Sequence, residues 1–443
     1  MGIPSFFSYI IKNFPTIIKR IQCHNKKINN LYLDSNSIIY DCMRKIEHTN
    51  DMFEKALIQS ICLKIDEYIS ILQPDQTIII AFDGVAPVAK LEQQRGRRYK
   101  SSFTKKITNQ ISEKKEILWD QTAITPGTNF MNELGSQVSL YYRENQMRYL
   151  AKNIIVSSSN DIGEGEHKIF QYIRDHPKKH EKETSVIYGL DADLIMLCLN
   201  HLHIYKNIYL YRETPEFIKS IDVRLIPNEH YILDIPLLSQ GIITEMGSKN
   251  QTDTHLMFDY IFLCFFLGND FMPHFPSVNI RTNGIVILIN AYKATMRKND
   301  HFTDGKVLYW KNIRKFVEFL AENEWDNLIG EYRIRDRWER RHFSYKNEKD
   351  KFKRFLHIPI KNRELEKYID PYQNGWENRY YQTLFGIDIT DEYRKKICIN
   401  YLEGLEWTFK YYTTGCVDWR WHYHYDYPPL LKDLLKYIPH WET

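Results

Sequence analysis

Apolar, β-branched runs that each end in a carboxylate recur through more than half of this chain, and that arrangement limits its possible folds more than any other feature. The runs are Leu31-Tyr32-Leu33-Asp34, Ile78-Ile79-Ile80-Ala81-Phe82-Asp83 and Ile187-Tyr188-Gly189-Leu190-Asp191-Ala192-Asp193, and further acids stand in Gly163-Glu164-Gly165-Glu166-His167 and Gly268-Asn269-Asp270. Short apolar runs alternating with longer helical stretches read as parallel strands joined by crossover helices. In an open α/β sheet ligands collect beyond the carboxyl ends of the strands. Acids placed there converge on one crevice.

The spacing predicts strands at 30–34, 77–82, 153–157, 186–190 and 207–211, and helices at 5–13, 36–47, 52–72, 86–116, 129–150, 166–175, 193–199, 257–267 and 283–294. The expected fold class is α/β, a mainly parallel sheet flanked by helices, with a smaller, mostly helical, aromatic-rich C-terminal region packed on it. Residues 1–325 read as the catalytic region, 326–366 as a charged surface connection or charged helix with disorder in part, and 367–443 as a compact aromatic region.

Each acid alone also reads as a helix cap, accepting free N–H groups of the helix that follows. Two features favour metal binding for the set. Glu164/Glu166 and Asp191/Asp193 are i, i+2 pairs, which extended backbone points to one side. Crowded like charges are also costly unless a cation compensates them. Hard divalent ions take oxygen ligands, and a pair of them clamps the attacking and leaving oxygens of a phosphoryl transfer. The residues alone therefore point to a metal-dependent nuclease.

With a net charge of only +4 over 443 residues, affinity for a polyanion has to come from local patches. One follows Asp83-Gly84-Val85-Ala86-Pro87. On a helix, Lys90, Gln94, Arg97 and Arg98 fall within an arc of roughly 100°, a face suited to a terminal phosphate. Arg95, Lys100, Lys105 and Lys106 read instead as solvated surface or loose backbone contacts. The seven cysteines are odd in number and scattered, without a C-x-x-C pair, which points to a reducing compartment and away from a zinc site. The longest apolar stretch, 256–268, contains Asp259 and is shorter than the roughly 20 residues of a membrane span. Phe6 stands where a myristoylation motif needs Ser or Thr, and no secretory leader is legible. An intracellular protein is expected, in the cytoplasm ahead of the nucleus.

At this point a specific resemblance enters. Met1-Gly2-Ile3-Pro4-Ser5-Phe6-Phe7, Leu31-Tyr32-Leu33-Asp34-Ser35-Asn36-Ser37-Ile38, Asp83-Gly84-Val85-Ala86-Pro87, Gln93-Gln94-Arg95-Gly96-Arg97-Arg98, Ile124-Thr125-Pro126-Gly127-Thr128, Gly163-Glu164-Gly165-Glu166-His167-Lys168-Ile169, Tyr188-Gly189-Leu190-Asp191-Ala192-Asp193-Leu194 and Leu267-Gly268-Asn269-Asp270-Phe271-Met272-Pro273 resemble, in order and spacing, the motifs of the Xrn/Rat 5′→3′ exoribonucleases. Trp376-Glu377-Asn378-Arg379-Tyr380-Tyr381, Tyr401-Leu402-Glu403-Gly404-Leu405-Glu406-Trp407 and the block Tyr411 to Trp421 are similar to that family's second conserved region.

The resemblance implies a flap-endonuclease-like (PIN-like) fold and processive 5′→3′ degradation of 5′-monophosphorylated single-stranded RNA to mononucleotides. It implies Asp34, Asp83, Glu164, Glu166, Asp191, Asp193 and Asp270 as catalytic, metal-binding carboxylates for two Mg²⁺ ions, with Mn²⁺ able to substitute, and no other small-molecule cofactor. Lys90, Gln94, Arg97 and Arg98 match the family's 5′-phosphate pocket. Trp419 or Trp421 would stack on a base at the 5′ end, opposite a residue six after the first Asp. The family usually has histidine there and this chain has Tyr40. The chain also stops soon after Tyr425-Asp426-Tyr427-Pro428-Pro429 and reads as a minimal catalytic core. Two other readings stay open: a flap-endonuclease-like DNA nuclease, which has less need of a monophosphate pocket, and an inactive RNA-binding protein, against which the intact carboxylates stand.

Overall fold

The computed structural model describes residues 3, 5–24, 26–46, 52–112, 119–214, 216–248, 250, 253–297, 299–386 and 390–439. Met1, Gly2 and Pro4 of the N-terminal motif, and the expected helix ends at 47 and 113–116, lie outside them. Seven strands, β1 (Ile18–Arg20), β2 (Asn30–Asp34), β3 (Thr77–Ala81), β4 (Asn153–Ser157), β5 (Ser185–Tyr188), β6 (Ile208–Glu213) and β7 (His230–Asp234), form one sheet in the order β1-β7-β6-β5-β2-β3-β4. The five strands from β6 to β4 run parallel, and β7 and β1 close one side as antiparallel partners. From β2 the chain moves through β3 to β4 on one side, then returns to place β5 on the other. The switch point of the sheet therefore lies between β2 and β5, where ligands bind in open α/β folds.

Early helices include α1 (Phe6–Asn13), α2 (Asn36–Met43), α3 (Phe53–Leu72), α4 (Val88–Ile111), α5 (Asn129–Glu144) and α6 (Gly165–Asp175). Strand periodicity divides the core. Tyr32, Ile79, Ala81, Ile187 and Leu210 face one layer with Ile169, Phe170 and Ile173 of α6 and the helix Asp193–Asn200. Leu31, Leu33, Ile78, Ile80, Val186 and Tyr188 face the other, packed on α2, α3 and α5. Side chains alternate across a strand, so a sheet buried on both faces reads as an unbroken apolar run, as these strands do. No helix among the described residues is long and apolar enough to cross a membrane.

The five expected strands are present, with β5 at 185–188 and β6 at 208–213. The antiparallel strands β1 and β7 and the helix Ile235–Glu245 were not anticipated. The charged stretch 326–366 lies in a series of helices, Glu324–Glu339, Glu348–Leu356, Ile358–Lys361 and Glu364–Ile369. Beyond it, Trp376–Phe385 shares a small core with Leu328, Ile369, Ile397 and Leu430. The helix Asp391–Thr413 sends Tyr401, Leu405, Trp407, Phe409, Tyr411 and Tyr412 into the main core.

Candidate active site

The carboxyl ends of β2, β3 and β5 carry Asp34, Asp83 and Asp191, as alternation of run and acid predicts. Asp83 is held on three sides: Asn36 Nδ2 donates to its Oδ2 at 2.7 Å, its own N–H donates to Asn36 Oδ1 at 3.0 Å, and the Gly165 N–H donates to its Oδ1 at 2.7 Å. That last donor is a free amide of the first turn of α6, the positive end of the helix dipole. A Cβ at Gly165 would come within 2.7 Å of Asp34 Oδ1 and 3.0 Å of the Ala81 carbonyl oxygen. The absent side chain lets α6 start against the strand ends, so Glu164 and Glu166 arrive beside Asp34 and Asp83. Lys168, one turn on, donates to the carbonyls of Phe82 and Ser158 at 2.7 Å each and ties the ends of β3 and β4 together.

All seven predicted acids gather here. Glu164, Glu166 and Asp193 are buried, and Asp34, Asp83, Asp191 and Asp270 half-buried. At their centre sits a cation. The buried Lys90 ammonium lies 2.6 Å from Glu164 Oε2 and 2.8 Å from Asp270 Oδ2. Burial works against its charge, but Glu164 and Asp270 outweigh burial and hold its pKa well above the usual lysine value. One ammonium does not neutralise seven carboxylates. Burial, with Asp83, Asp191 and Glu164 around it, pushes Asp34 well above the usual range. Burial and Glu164 push Asp83 up to about 6, and burial and Asp270 push Asp193 up to about 7. Glu166 is likewise raised by burial and Glu164. Burial acts to raise Asp270 as well, yet Lys90 brings it below its ordinary value.

This donor set fits hard divalent cations. It is rich in carboxylate oxygens, Asp193 Oδ1 is buried with no hydrogen-bond partner, and candidate ligand atoms of Glu164, Glu166 and His167 lie within 4.8 Å of one another. His167 was not anticipated from sequence. Burial, then Lys90, lowers its pKa well below the usual imidazole value, so the ring is neutral.

The C-terminal region completes this wall. The Tyr411 hydroxyl donates to Glu164 Oε1 at 2.6 Å, and the Tyr411 ring lies 3.8 Å from that of His167. Tyr411 stacks on Trp407 at 4.8 Å, and Trp407 stacks on Trp421 at 5.0 Å. Trp407 is thus the middle ring of a three-ring pile, and Trp421, half-buried, is one of its ends. Trp419 is 40% exposed, and its carbonyl accepts from the Val88 N–H at 3.0 Å, at the foot of α4.

From that foot α4 rises with Lys90 pointing inward, Gln94 half-buried and Arg97 and Arg98 exposed. Arg98 Nη2 donates to Thr125 Oγ1 at 2.9 Å, giving Thr125 of the Ile124-Thr125-Pro126 motif a role that sequence left open. Tyr40, on α2, sits where Arg97, Asp83 and Arg98 all bear on its hydroxyl. Burial is the main reason its pKa is raised. The structure thus brings Tyr40, the basic face and the acids together, and leaves Trp419 at the surface and Trp421 half-buried against Trp407.

Comparison with known proteins agrees with this arrangement. Residues 1–214 match the model described as the XRN 5′-3′ exonuclease N-terminus, and residues 251–368 and 346–439 match the Xrn1 helical domain. The chain is 25% identical to 5′-3′ exoribonuclease 2 of Arabidopsis thaliana and 27% identical to that of Gallus gallus, with 98% of this chain but 58% and 60% of those proteins covered. It is 27% identical to 5′-3′ exoribonuclease 1 of Schizosaccharomyces pombe, of which 42% is covered. The chain therefore spans about half of the relatives it matches. Among solved structures, a catalytic core of Rad2 in complex with DNA substrate aligns over 99% of this chain and 95% of that one, at 14% identity and a TM-score of 0.39. With both regions matched in chain order, and with the acids that carry the motifs converging on one wall, this chain belongs to the Xrn family of 5′-3′ exonucleases.

Proposed function

We propose that this protein is a processive 5′→3′ exoribonuclease, hydrolysing 5′-monophosphorylated RNA to mononucleotides with two Mg²⁺ ions, which Mn²⁺ can replace. The observation that carries the reading is the placement of Lys90. It stands in the first turn of α4, on the helix face that also carries the exposed Arg97 and Arg98, while its own ammonium lies among the carboxylates. A 5′-phosphate received by Lys90, Gln94, Arg97 and Arg98 therefore lies close to the acids, and cleavage falls at the first linkage. Asp34, Asp83, Glu164, Glu166, Asp191, Asp193 and Asp270 would hold the cations. When bound, a metal pair supplies an activated water and charge stabilisation for the leaving oxygen.

The protein's own groups set position and dryness. Asn36 and the Gly165 amide fix Asp83, Tyr411 fixes Glu164, and Tyr40 with the exposed Trp419 would grip the terminal base. In this reading 1–325 is the catalytic region, completed by 367–443 through the charged connection 326–366. The names of the related proteins support RNA as substrate. The seven unpaired cysteines support work in the reducing cytoplasm.

The test compares 5′-monophosphate, 5′-triphosphate and 5′-hydroxyl RNAs of one sequence with the matching DNA, in Mg²⁺, Mn²⁺ or EDTA. Mononucleotide release from the 5′-monophosphate RNA alone, abolished by EDTA, is the expected result. Equal use of all ends sinks the pocket, and preferential cutting of DNA favours the flap-endonuclease alternative.

A further inference from the structure

Charge on this chain is far from evenly spread. Residues 333–367 carry thirteen Lys and Arg against six Asp and Glu, and α4 carries seven against one. Together these two segments hold +13 in a chain whose total is +4, so everything else nets −9. They also touch. The helix Glu348–Leu356 packs on α4, with the rings of Phe103 and Phe355 6.3 Å apart. Two like-charged segments separated by more than 200 residues of sequence have been brought side by side. Such a surface is suited to a polyanion.

Three of the six acids of 333–367 are held in ion pairs within the segment. Asp336, Glu339 and Glu366 pair with the buried Arg363, with Lys367 and with Arg335. By contrast Arg340, Arg341, Lys349, Lys351, Lys353 and Arg354 take part in no ion pair among the described residues, and all six are exposed. Exposed rings lie among the cations. Tyr99 on α4 is 78% exposed and Tyr345 is 63% exposed, with the Arg354 guanidinium 5.8 Å from the Tyr345 ring centre. Tyr345 and Arg354 line a cleft of about 700 Å³ with Phe343 and Lys361. Cations that follow a backbone, with aromatic faces between them, are what single strands bind without sequence preference.

We propose that the outer turns of α4 and the helices within 333–367 form a second, sequence-independent track for single-stranded RNA, downstream of the nucleotides seated at the carboxylates. The inference rests on the exoribonuclease reading above. The track and the phosphate pocket share α4. It gives the chain a hold on the strand that persists while the terminal nucleotide is released.

The test uses the full chain and fluorescence anisotropy in EDTA, with a 5′-monophosphate trinucleotide and a 5′-monophosphate RNA of about twenty nucleotides. The variant is Lys349→Glu, Lys351→Glu, Lys353→Glu, three exposed positions. The expected result is a loss of about tenfold or more in affinity for the long RNA, with the trinucleotide changed less than about twofold. The slope of log affinity against log salt should also become shallower by about 2 for the long RNA, at roughly 0.7 per phosphate contact on a single strand. Unchanged affinity for the long RNA overturns the track and leaves the surface to an acidic protein partner. Equal loss at both lengths overturns it too. Cleavage in Mg²⁺ is scored separately: wild type that binds by length but leaves RNA uncut defeats the exoribonuclease reading, whereas cutting wild type with an unaffected variant defeats the track alone.

Discussion

The Tyr411 hydroxyl reaches across 247 residues of sequence to donate a 2.6 Å hydrogen bond to Glu164 Oε1. Tyr411→Phe removes that hydroxyl and leaves the ring stacked on Trp407. A hydrogen bond to a charged group contributes about 1.5–3 kcal/mol, so nuclease turnover should fall about tenfold or more while the melting temperature moves little. Turnover and melting measured on one preparation check this. A variant with normal turnover would remove Tyr411 from the account of Glu164.

Lys90→Met takes away the ammonium that pairs with Glu164 and Asp270. Breaking a buried pair leaves an uncompensated charge and costs about 3–5 kcal/mol. The metal-free variant should therefore melt well below wild type. Added Mg²⁺ should raise its melting temperature more than it raises that of wild type, since the ion then replaces a missing charge. Equal Mg²⁺-dependent rises would show that the ammonium and the metal act on different acids.

The pH dependence of the metal-free protein carries a definite sign at Asp193. Burial and Asp270 push its carboxyl up to about 7 from an ordinary 3.8. The folded state therefore keeps a proton that the unfolded chain releases, so this group's stability contribution is fully present below pH 3.8 and lost as pH rises through about 7. Asp193→Asn has no charge to bury. In EDTA it should melt above wild type near pH 8, by a few kcal/mol at most, and the gain should shrink steadily toward pH 4. Melts across that range check it, and a constant difference would show that the substitution acts through packing.

Arg97→Ala and Arg98→Ala should raise KM for 5′-monophosphate RNA about tenfold or more, at about 1.5–3 kcal/mol per charged hydrogen bond, and narrow the gap to 5′-hydroxyl RNA. Steady-state kinetics on the two substrates separate this from general backbone binding, in which both would suffer equally.

The two tryptophans should part company. Trp421 is half-buried at the end of the pile on Trp407, and Trp421→Ala should destabilise the protein by about 1–3 kcal/mol, part of what truncating a fully buried large ring costs. Trp419→Ala should leave melting nearly unchanged but weaken RNA binding by about 1–3 kcal/mol and shorten processive runs, as should Tyr40→Ala. Denaturant melts and a 3′-end-labelled RNA give both readings. A destabilised Trp419→Ala with normal run length would reverse the assignment.

The parallel strands and the acids at their ends were legible because both are local patterns: an apolar run, then a carboxylate. What escaped was set by tertiary partners. β1 is three residues, Ile18 to Arg20, and owes its existence to pairing with β7. Lys90 shares a helical face with Arg97 and Arg98, so sequence placed it with the phosphate. Only the fold reveals Glu164 and Asp270 beside it. Sequence left Trp419 and Trp421 alike, and their different surroundings, Val88 for one and Trp407 for the other, are contacts that no spacing announces. In 326–366 the high charge left a surface connection and a charged helix both open; the stretch holds several helices, and the burial of Arg363 among Asp336, Glu339 and Glu366 is a pairing invisible to net charge.

The bare position at Gly165 constrains how this chain can vary. A single methyl group there would meet both Asp34 Oδ1 and the Ala81 carbonyl, so relief would require α6 to retreat from the sheet and draw Glu164 and Glu166 away from Asp34 and Asp83. The register of four acids is thus set by a hydrogen atom, and a substitution at this one site should abolish the proposed nuclease activity although every acidic residue is retained in the sequence.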